Sequence, residues 1–350
     1  MILHADSYLG IQYLHQSIAS SATYDSDARY DPPKCHPKTR TKVLAAIVSW
    51  IRNKDRNTKI LWLRGPAGSG KSAIAQTICE MSAESGHLGA SFFFSRTDPT
   101  RNNPTNLFPT IAYQLAMYSL NFKSHLETII ELDPSVITKA MDIQLQQLIL
   151  LPFQPLNDVE STPSRVVVID GLDECIDEKR QVRILQLICS ALSTGGHPFC
   201  VLITSRSEHH ISTEFQQRYI SKLYHQISLA YTDDTDIRLV LESGFLEILE
   251  SLTHRDSMQG IVRPWPNQDI IQELVSRASG QFIYAVTVLK YVNDPYSLPV
   301  DQLDSVLRSN LQVVDQESPL SQLDVLYSEI LSRCKNIQTL LNLLGVLITV

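Results

Sequence analysis

The sequence predicts an α/β protein: a three-layer α/β/α core around a central parallel sheet, followed by a small all-α helical region. Three observations carry this expectation. Short apolar runs alternate with helical patterns from Ile60 to about Leu229. Runs without polar alternation mark strands buried on both faces, as in a parallel sheet covered by helices on either side. A stretch rich in glycine, "GPAGSGKS", joins the first apolar run to the first helical one. From about Thr232 the strand-like runs stop and only helical patterns follow.

Residues 1–38 read as a polar, irregular segment, because the prolines of "DPPKCHPKTR" interrupt any regular helix. The core then spans 39–230. "TKVLAAIVSWI" repeats apolar residues at helical spacing, with Thr41 placed to cap it. Strands are expected at "ILWLRG", "GASFFFSR", "RVVVID" and "FCVLITSR", with a weaker fifth at "LYHQISL". Helices are expected at "SAIAQTICEMSAES", "LFPTIAYQLAMYS", "MDIQLQQLIL" and "RQVRILQLICSALS". The helical region, 231–350, opens on "TDDTDIRLVLESGFLEILESL" and continues with two helices around Gly280. A further helix carries Leu320, Leu323, Leu326 and Ile330 on one face, and the chain stops inside the apolar "LLNLLGVLITV", as if this region were cut short.

Composition narrows the class. The 350 residues are 43% hydrophobic and 19% charged, which supports a sizeable core and argues against wholesale disorder. A net charge of −7 argues against a nucleic-acid partner. No apolar run reaches the roughly 18 residues of a membrane span, and "MILHADSYLG" lacks the pattern of a signal peptide. Six scattered cysteines, none at C-x-x-C spacing, read as buried free thiols. A cytoplasmic location follows as the expectation.

The glycine stretch matches G-x-x-x-x-G-K-[ST] through Gly65, Gly70, Lys71 and Ser72. Its glycines let the backbone turn its N–H groups onto phosphate oxygens, and the next helix aims its positive end at the same anion. Lys71 would reach the β- and γ-phosphates, and the Ser72 hydroxyl would ligate Mg2+. The nucleotide-binding set is Gly65, Pro66, Ala67, Gly68, Ser69, Gly70, Lys71, Ser72 and Ala73. "VVVIDGLDEC" places Asp170 at the C-terminal end of a buried strand, the position for a second Mg2+ partner. Asp173 and Glu174 follow within the same turn and suit activation of a water. The spacing does not separate their roles; the reading favours Glu174 as the base and Asp173 in the metal's water shell. "VLITSRSE" puts Arg206 at the end of the fourth strand, where an arginine senses the γ-phosphate and couples it to the helical region. The neighbouring His209 and His210 read as a polar loop, since no second ligand set has fitting spacing.

Together "GPAGSGKS", "VVVIDGLDEC" and "LITSRSE" resemble the NACHT class of signal-transduction NTPases, the STAND proteins. "KCHPKTRTKVLAAIVSWI" is similar to the segment that precedes the phosphate loop in fungal members, and "SGQFIYAVTVLKYV" to a helix of their post-NACHT region. The same residues resemble the N-terminal nucleotide-binding region of nephrocystin-3-like proteins. The resemblance covers roughly residues 35–335. It implies a P-loop NTPase fold with the arginine-bearing strand between the other two motif strands, ATP or GTP with Mg2+, and slow hydrolysis. It also implies a switch between closed and oligomer-forming states, with Arg40 and Thr39 near the base or ribose. The departures are the short segment ahead of the core and the lack of a repeat array behind it.

The favoured function is therefore a nucleotide-dependent signalling switch. One alternative is a partner-remodelling ATPase, with Arg96 or Arg101 as a finger toward a neighbour. Another is a degenerate scaffold that binds nucleotide for stability alone. Protein partners, or self-association through the apolar C-terminal run, complete the expectation.

Overall fold

The computed structural model describes residues 9–154, 165–193, 199–229, 234–308, 321–332 and 336–349. Two units are distinguished. One comprises Met1–Cys35, Arg40–Ala67 and Lys71–Ala230; the other comprises His36–Thr39, Gly68–Gly70 and Tyr231–Val350.

All the anticipated strands form in the first unit: β1 (Ile60–Arg64), β2 (Leu88–Phe93), β3 (Arg165–Asp170), β4 (Phe199–Ser205) and β5 (Tyr224–Ser228). They make one parallel sheet in the order β2-β3-β4-β1-β5. The arginine-bearing strand β4 therefore lies between β1 and β3, as the resemblance implies. Register sets the strand ends level: Arg64 is opposite Ser205, Ile169 opposite Ile203, and Phe93 opposite Asp170. The weak apolar signal of β5 has its cause here. It is an edge strand, with His225, Gln226 and Ser228 exposed.

Alternate strand residues enter opposite cores, which is the period-two geometry of a strand. Ile60, Trp62, Val167, Ile169, Val201 and Ile203 join one apolar cluster. Leu61, Leu63, Val166, Val168 and Leu202 join the other. The helices in chain order are α1 (Leu9–His15), α2 (Thr41–Arg52), α3 (Lys71–Glu84), α4 (Leu107–Tyr118) and α5 (Leu120–Leu132). Then come α6 (Met141–Gln144), a π-helical turn at Leu145–Leu150 and α7 (Leu151–Phe153). The first unit closes with α8 (Glu178–Ser193), α9 (His209–Phe215) and α10 (Arg218–Ser221). α2 and α3 cover one sheet face through Ile47, Ile51, Ile74 and Ile78. α4, α5 and α8 cover the other through residues such as Phe108, Phe122 and Ile184. Trp62 stacks on Phe215 with ring centroids 4.2 Å apart, a pairing worth about 1 kcal/mol beyond burial.

Two local expectations change. Thr41 is the first residue of α2, while Arg40 takes the N-cap position in a left-handed conformation (φ 54°) without a side-chain cap. The segment before the core is more ordered than its polarity suggests. It holds α1 and two 3-10 turns, and Ile11, Leu14, Ala19 and Ala22 are buried in the main core. Its order comes from tertiary bonds: the Tyr24 N–H donates to Ser91 Oγ at 2.9 Å, and the Cys35 N–H to Thr77 Oγ1 at 3.1 Å.

From Asp234 the described elements are helices: α11 (Asp234–Glu250), α12 (Gln268–Ala278), α13 (Phe282–Val292), α14 (Pro299–Arg308), α15 (Ser321–Ser332) and α16 (Ile337–Thr349). α11 to α15 share an apolar cluster built on Leu241, Leu274, Val288, Leu303 and Leu326. Leu323 and Ile330 pack against it as their spacing predicts, while Leu320 lies outside the described residues. Cys79, Cys175, Cys189 and Cys200 are buried thiols outside any disulfide and Cys35 is half-buried; Cys334 is outside the described residues. No helix among the described residues is long and apolar enough to cross a membrane.

Candidate functional site

The glycine stretch forms the turn between β1 and α3. Gly68 (φ 72°) and Gly70 (φ 86°) occupy the left-handed region, which a side chain would strain. The first residue of the turn is tied to the sheet by the Gly65 N–H, which donates to the Ser205 carbonyl at 3.3 Å. Lys71 opens α3 and curls back over the turn, its ammonium donating to the Gly65 and Pro66 carbonyls at 2.8 and 2.9 Å. Burial lowers its pKa, and the charges of Asp173 and Asp170 oppose that shift. Ala67 lies within the same turn, Ser69 is buried there, and Ala73 continues the first turn of α3.

The acid residues follow β3. Asp170 ends the strand, almost fully buried. Burial pushes its carboxyl above the usual range, while hydrogen bonds from Thr204 and Ser72 oppose the shift. The Thr204 hydroxyl donates to Asp170 Oδ1 at 2.5 Å and accepts the Gly171 N–H at 2.9 Å. That second bond leaves the hydroxyl proton to face the carboxylate, so the neighbouring strand fixes Asp170 as an acceptor. Ser72 of the loop helix thus acts on the Asp170 carboxyl at the end of β3.

Asp173 lies in the 3-10 turn Leu172–Glu174 and is also buried. Both of its carboxylate oxygens face Arg206. The Arg206 N–H donates to Oδ1 at 3.0 Å, and Nε lies 3.2 Å from Oδ2. Asp173 therefore serves as the anchor of Arg206, whose guanidinium remains partly exposed. Glu174 is half-buried, and its Oε2 accepts the Arg96 N–H at 3.3 Å. Burial raises its pKa, the Arg96 bond opposes this, and the charges of Asp170 and Asp173 add to the rise. A carboxyl raised in this way is a stronger proton acceptor once ionised.

Several contributors carried no sequence signal of their own. Arg96 donates through Nη2 to the Asp173 carbonyl at 2.9 Å, and Arg101 pairs with Asp98 at 2.9 Å, so both arginines considered for a finger are engaged within their own chain. Gln181, buried on α8, donates to the Cys175 and Asp173 carbonyls at 2.7 and 3.4 Å. Its Oε1 is left to His210 Nε2 at 2.6 Å, which must then carry the proton. His210 is thereby a support of the acid turn, in keeping with the non-metal reading of the histidine pair. Arg29, from the segment before the core, stacks over the Phe93 ring at 3.5 Å and donates to Gln76 Oε1 of α3 at 2.9 Å. These partners are main-chain carbonyls or distant side chains, which no spacing rule reads. Arg40 is buried at the head of α2, and the Thr39 hydroxyl donates to the His36 carbonyl at 2.6 Å. Among the described residues, no group of three or more His, Cys, Asp or Glu side chains is arranged to hold a metal ion. A hydroxyl with one carboxylate instead suits a small hard cation that keeps its waters.

Comparison with known proteins gives one family match and several distant structural likenesses. The family profile for the N-terminal region of nephrocystin 3 matches residues 41–206. No curated protein matches the sequence. Among solved structures, C. elegans PCH-2 aligns over 92% of this chain and 72% of its own, at 12% identity and a TM-score of 0.43. A katanin structure described for its self-assembly aligns over 93% of both chains, at 14% identity and a TM-score of 0.42. Drosophila ORC bound to DNA aligns over 84% of this chain and 68% of its own, at 12% identity and a TM-score of 0.45. Likenesses at these scores carry no argument, and the assignment rests on the sheet, the loop and the matched stretch. With β4 between β1 and β3, a glycine turn leading into α3, and Asp170 at the end of β3, the chain has an α/β P-loop-like fold, and its residues 41–206 are similar to the N-terminal region of nephrocystin 3.

Proposed function

We propose that this protein is a nucleotide-dependent switch of the NACHT/STAND type, binding ATP or GTP with Mg2+ and hydrolysing it slowly. The observation that carries the reading is the left-handed glycine turn with Lys71 curled over it, and Asp170 at the end of β3 with Ser72 acting on its carboxyl. Ser72 and Asp170 would offer two oxygen donors of the kind Mg2+ takes. Ser72 and Asp170 would hold the ion, which would supply charge neutralisation at the phosphates. The remaining roles fall to the chain. The backbone N–H groups from Gly65 to Ala73 would cradle the phosphates. Lys71 would exchange its two carbonyl partners for phosphate oxygens. Glu174, with its raised pKa, would take the proton of the attacking water. Arg206, held by Asp173, would answer the terminal phosphate. Protein partners or further copies of the chain would read the resulting state. Arg40 beside the base or ribose is part of the same reading.

The test is a titration of fluorescent ATP and GTP analogues, with and without Mg2+, into the chain and into Lys71→Ala, with phosphate release followed in the same samples. Binding should require Mg2+ and weaken about tenfold or more in the variant, the loss expected for a charged hydrogen-bonding group. Turnover should fall below about 1 s⁻¹, the low end of ordinary enzymes. Fast turnover would favour the remodelling ATPase. A folded chain that binds neither nucleotide would overturn the switch reading.

A further inference from the structure

The loop that leaves β2 runs along the whole acid turn. The Phe94 N–H donates to the Asp170 carbonyl at 2.9 Å, extending the β2–β3 pairing past the strand end. Two residues on, Arg96 makes its pair of contacts: its N–H reaches Glu174 Oε2 and its guanidinium reaches the Asp173 carbonyl. Further along, the Ile176 N–H donates to the Asn102 carbonyl at 2.7 Å. The loop is itself braced. Asp98 accepts from the Thr100 N–H, the Thr100 hydroxyl and Arg101 Nε at 2.9, 2.6 and 2.9 Å. Thr100 also meets Ser21 Oγ of the N-terminal segment at 2.7 Å. A braced loop that grips the peptide just before Glu174, and also the Glu174 carboxylate, fixes where that carboxylate sits.

We propose that Arg96 is a positioning residue for Glu174, holding the base through the Asp173 carbonyl and its own N–H. This deepens the proposed function and rests on Glu174 being the base. The contacts of Arg96 go to Glu174 and to the peptide just before it, so it acts through Glu174. The guanidinium contact is a neutral carbonyl accepting from a cation, so a lysine retains the charge and part of the bond. An alanine removes it while leaving the backbone N–H in place.

The experiment measures nucleotide affinity, turnover and thermal midpoint in the full chain for Arg96→Ala, Arg96→Lys, Glu174→Gln and the double variant Arg96→Ala/Glu174→Gln. The alanine variant should keep its affinity within about twofold and lose about tenfold in turnover, the scale of a misplaced catalytic group. Arg96→Lys should recover part of that loss. The double variant should be no slower than Glu174→Gln alone, because a residue acting through the base has nothing further to remove. Three results would overturn the proposal: normal turnover in Arg96→Ala, a parallel fall of affinity and thermal midpoint in that variant, or a further additive loss in the double variant. If Glu174→Gln itself turns over normally, the base assignment fails, and the Arg96 role fails with it. A slow Glu174→Gln beside a normal Arg96→Ala removes the Arg96 role alone.

Discussion

The phosphate loop and the acid turn are both short, and both follow a strand, yet they are built in opposite ways. The loop is almost wholly local. Its shape comes from left-handed Gly68 and Gly70, and its lysine binds carbonyls five and six residues back. The acid turn is held by residues from everywhere else. Thr204 and Arg206 approach from β4, Arg96 from the end of β2, and Gln181 from α8 with His210 behind it. A cradle for phosphate needs backbone N–H groups in a set conformation, which a few glycines encode. A catalytic carboxylate needs a tuned environment, which only neighbours in space supply.

This contrast can be sharpened by experiment. The largest effect is expected at the proposed base. Glu174→Gln should lower turnover on the order of 10²-fold or more while leaving nucleotide affinity in place. The sign of the pH effect follows from the raised carboxyl: the base works only when ionised, so wild-type turnover should fall as pH drops through a pKa above that of a free glutamate. A fall only at ordinary glutamate pH would contradict the burial argument. Next comes the tertiary support. Thr204→Val removes the donor to buried Asp170 and the acceptor of the Gly171 N–H, and should destabilise the chain by about 2 kcal/mol in denaturant melts. An unchanged midpoint would mean the acid turn is as self-sufficient as the loop.

The loop should break from within. Gly70→Ala forces a side chain into a left-handed conformation, a strain of roughly 1–2 kcal/mol, and should weaken nucleotide binding about tenfold with little change elsewhere. The smallest effect concerns Asp170. Its folded pKa is raised, so its contribution to stability is greatest below the unfolded pKa and is lost as pH rises through the folded value. Asp170→Asn should therefore be the more stable chain at neutral pH, with an advantage that shrinks as the solution is acidified. An advantage that is constant with pH would remove burial as the cause.

The strands were legible because a sheet covered on both faces demands uninterrupted apolar runs, and each such run marks a strand. The glycine turn and the place of Asp170 at a strand end were legible because residue types at fixed local spacing carry them. The N-terminal segment was misjudged for the opposite reason. Its polar residues bond to Ser91, Gln76 and Thr77, partners 42 to 67 positions away. Arg29 illustrates the limit: nothing in "DSDARYDPP" indicates a guanidinium stacked on Phe93 beside the acid strand.

Local sequence thus determines which segments pair into a sheet and where the glycine-rich turn lies, since both depend on periodicity and on backbone freedom at particular residues. The placement of Asp173 against Arg206, and of Arg96 and Gln181 around the acid turn, was decided in three dimensions. Those contacts join strand ends that become neighbours only in the order β2-β3-β4-β1-β5, and the buried charges they surround take their properties from that enclosure.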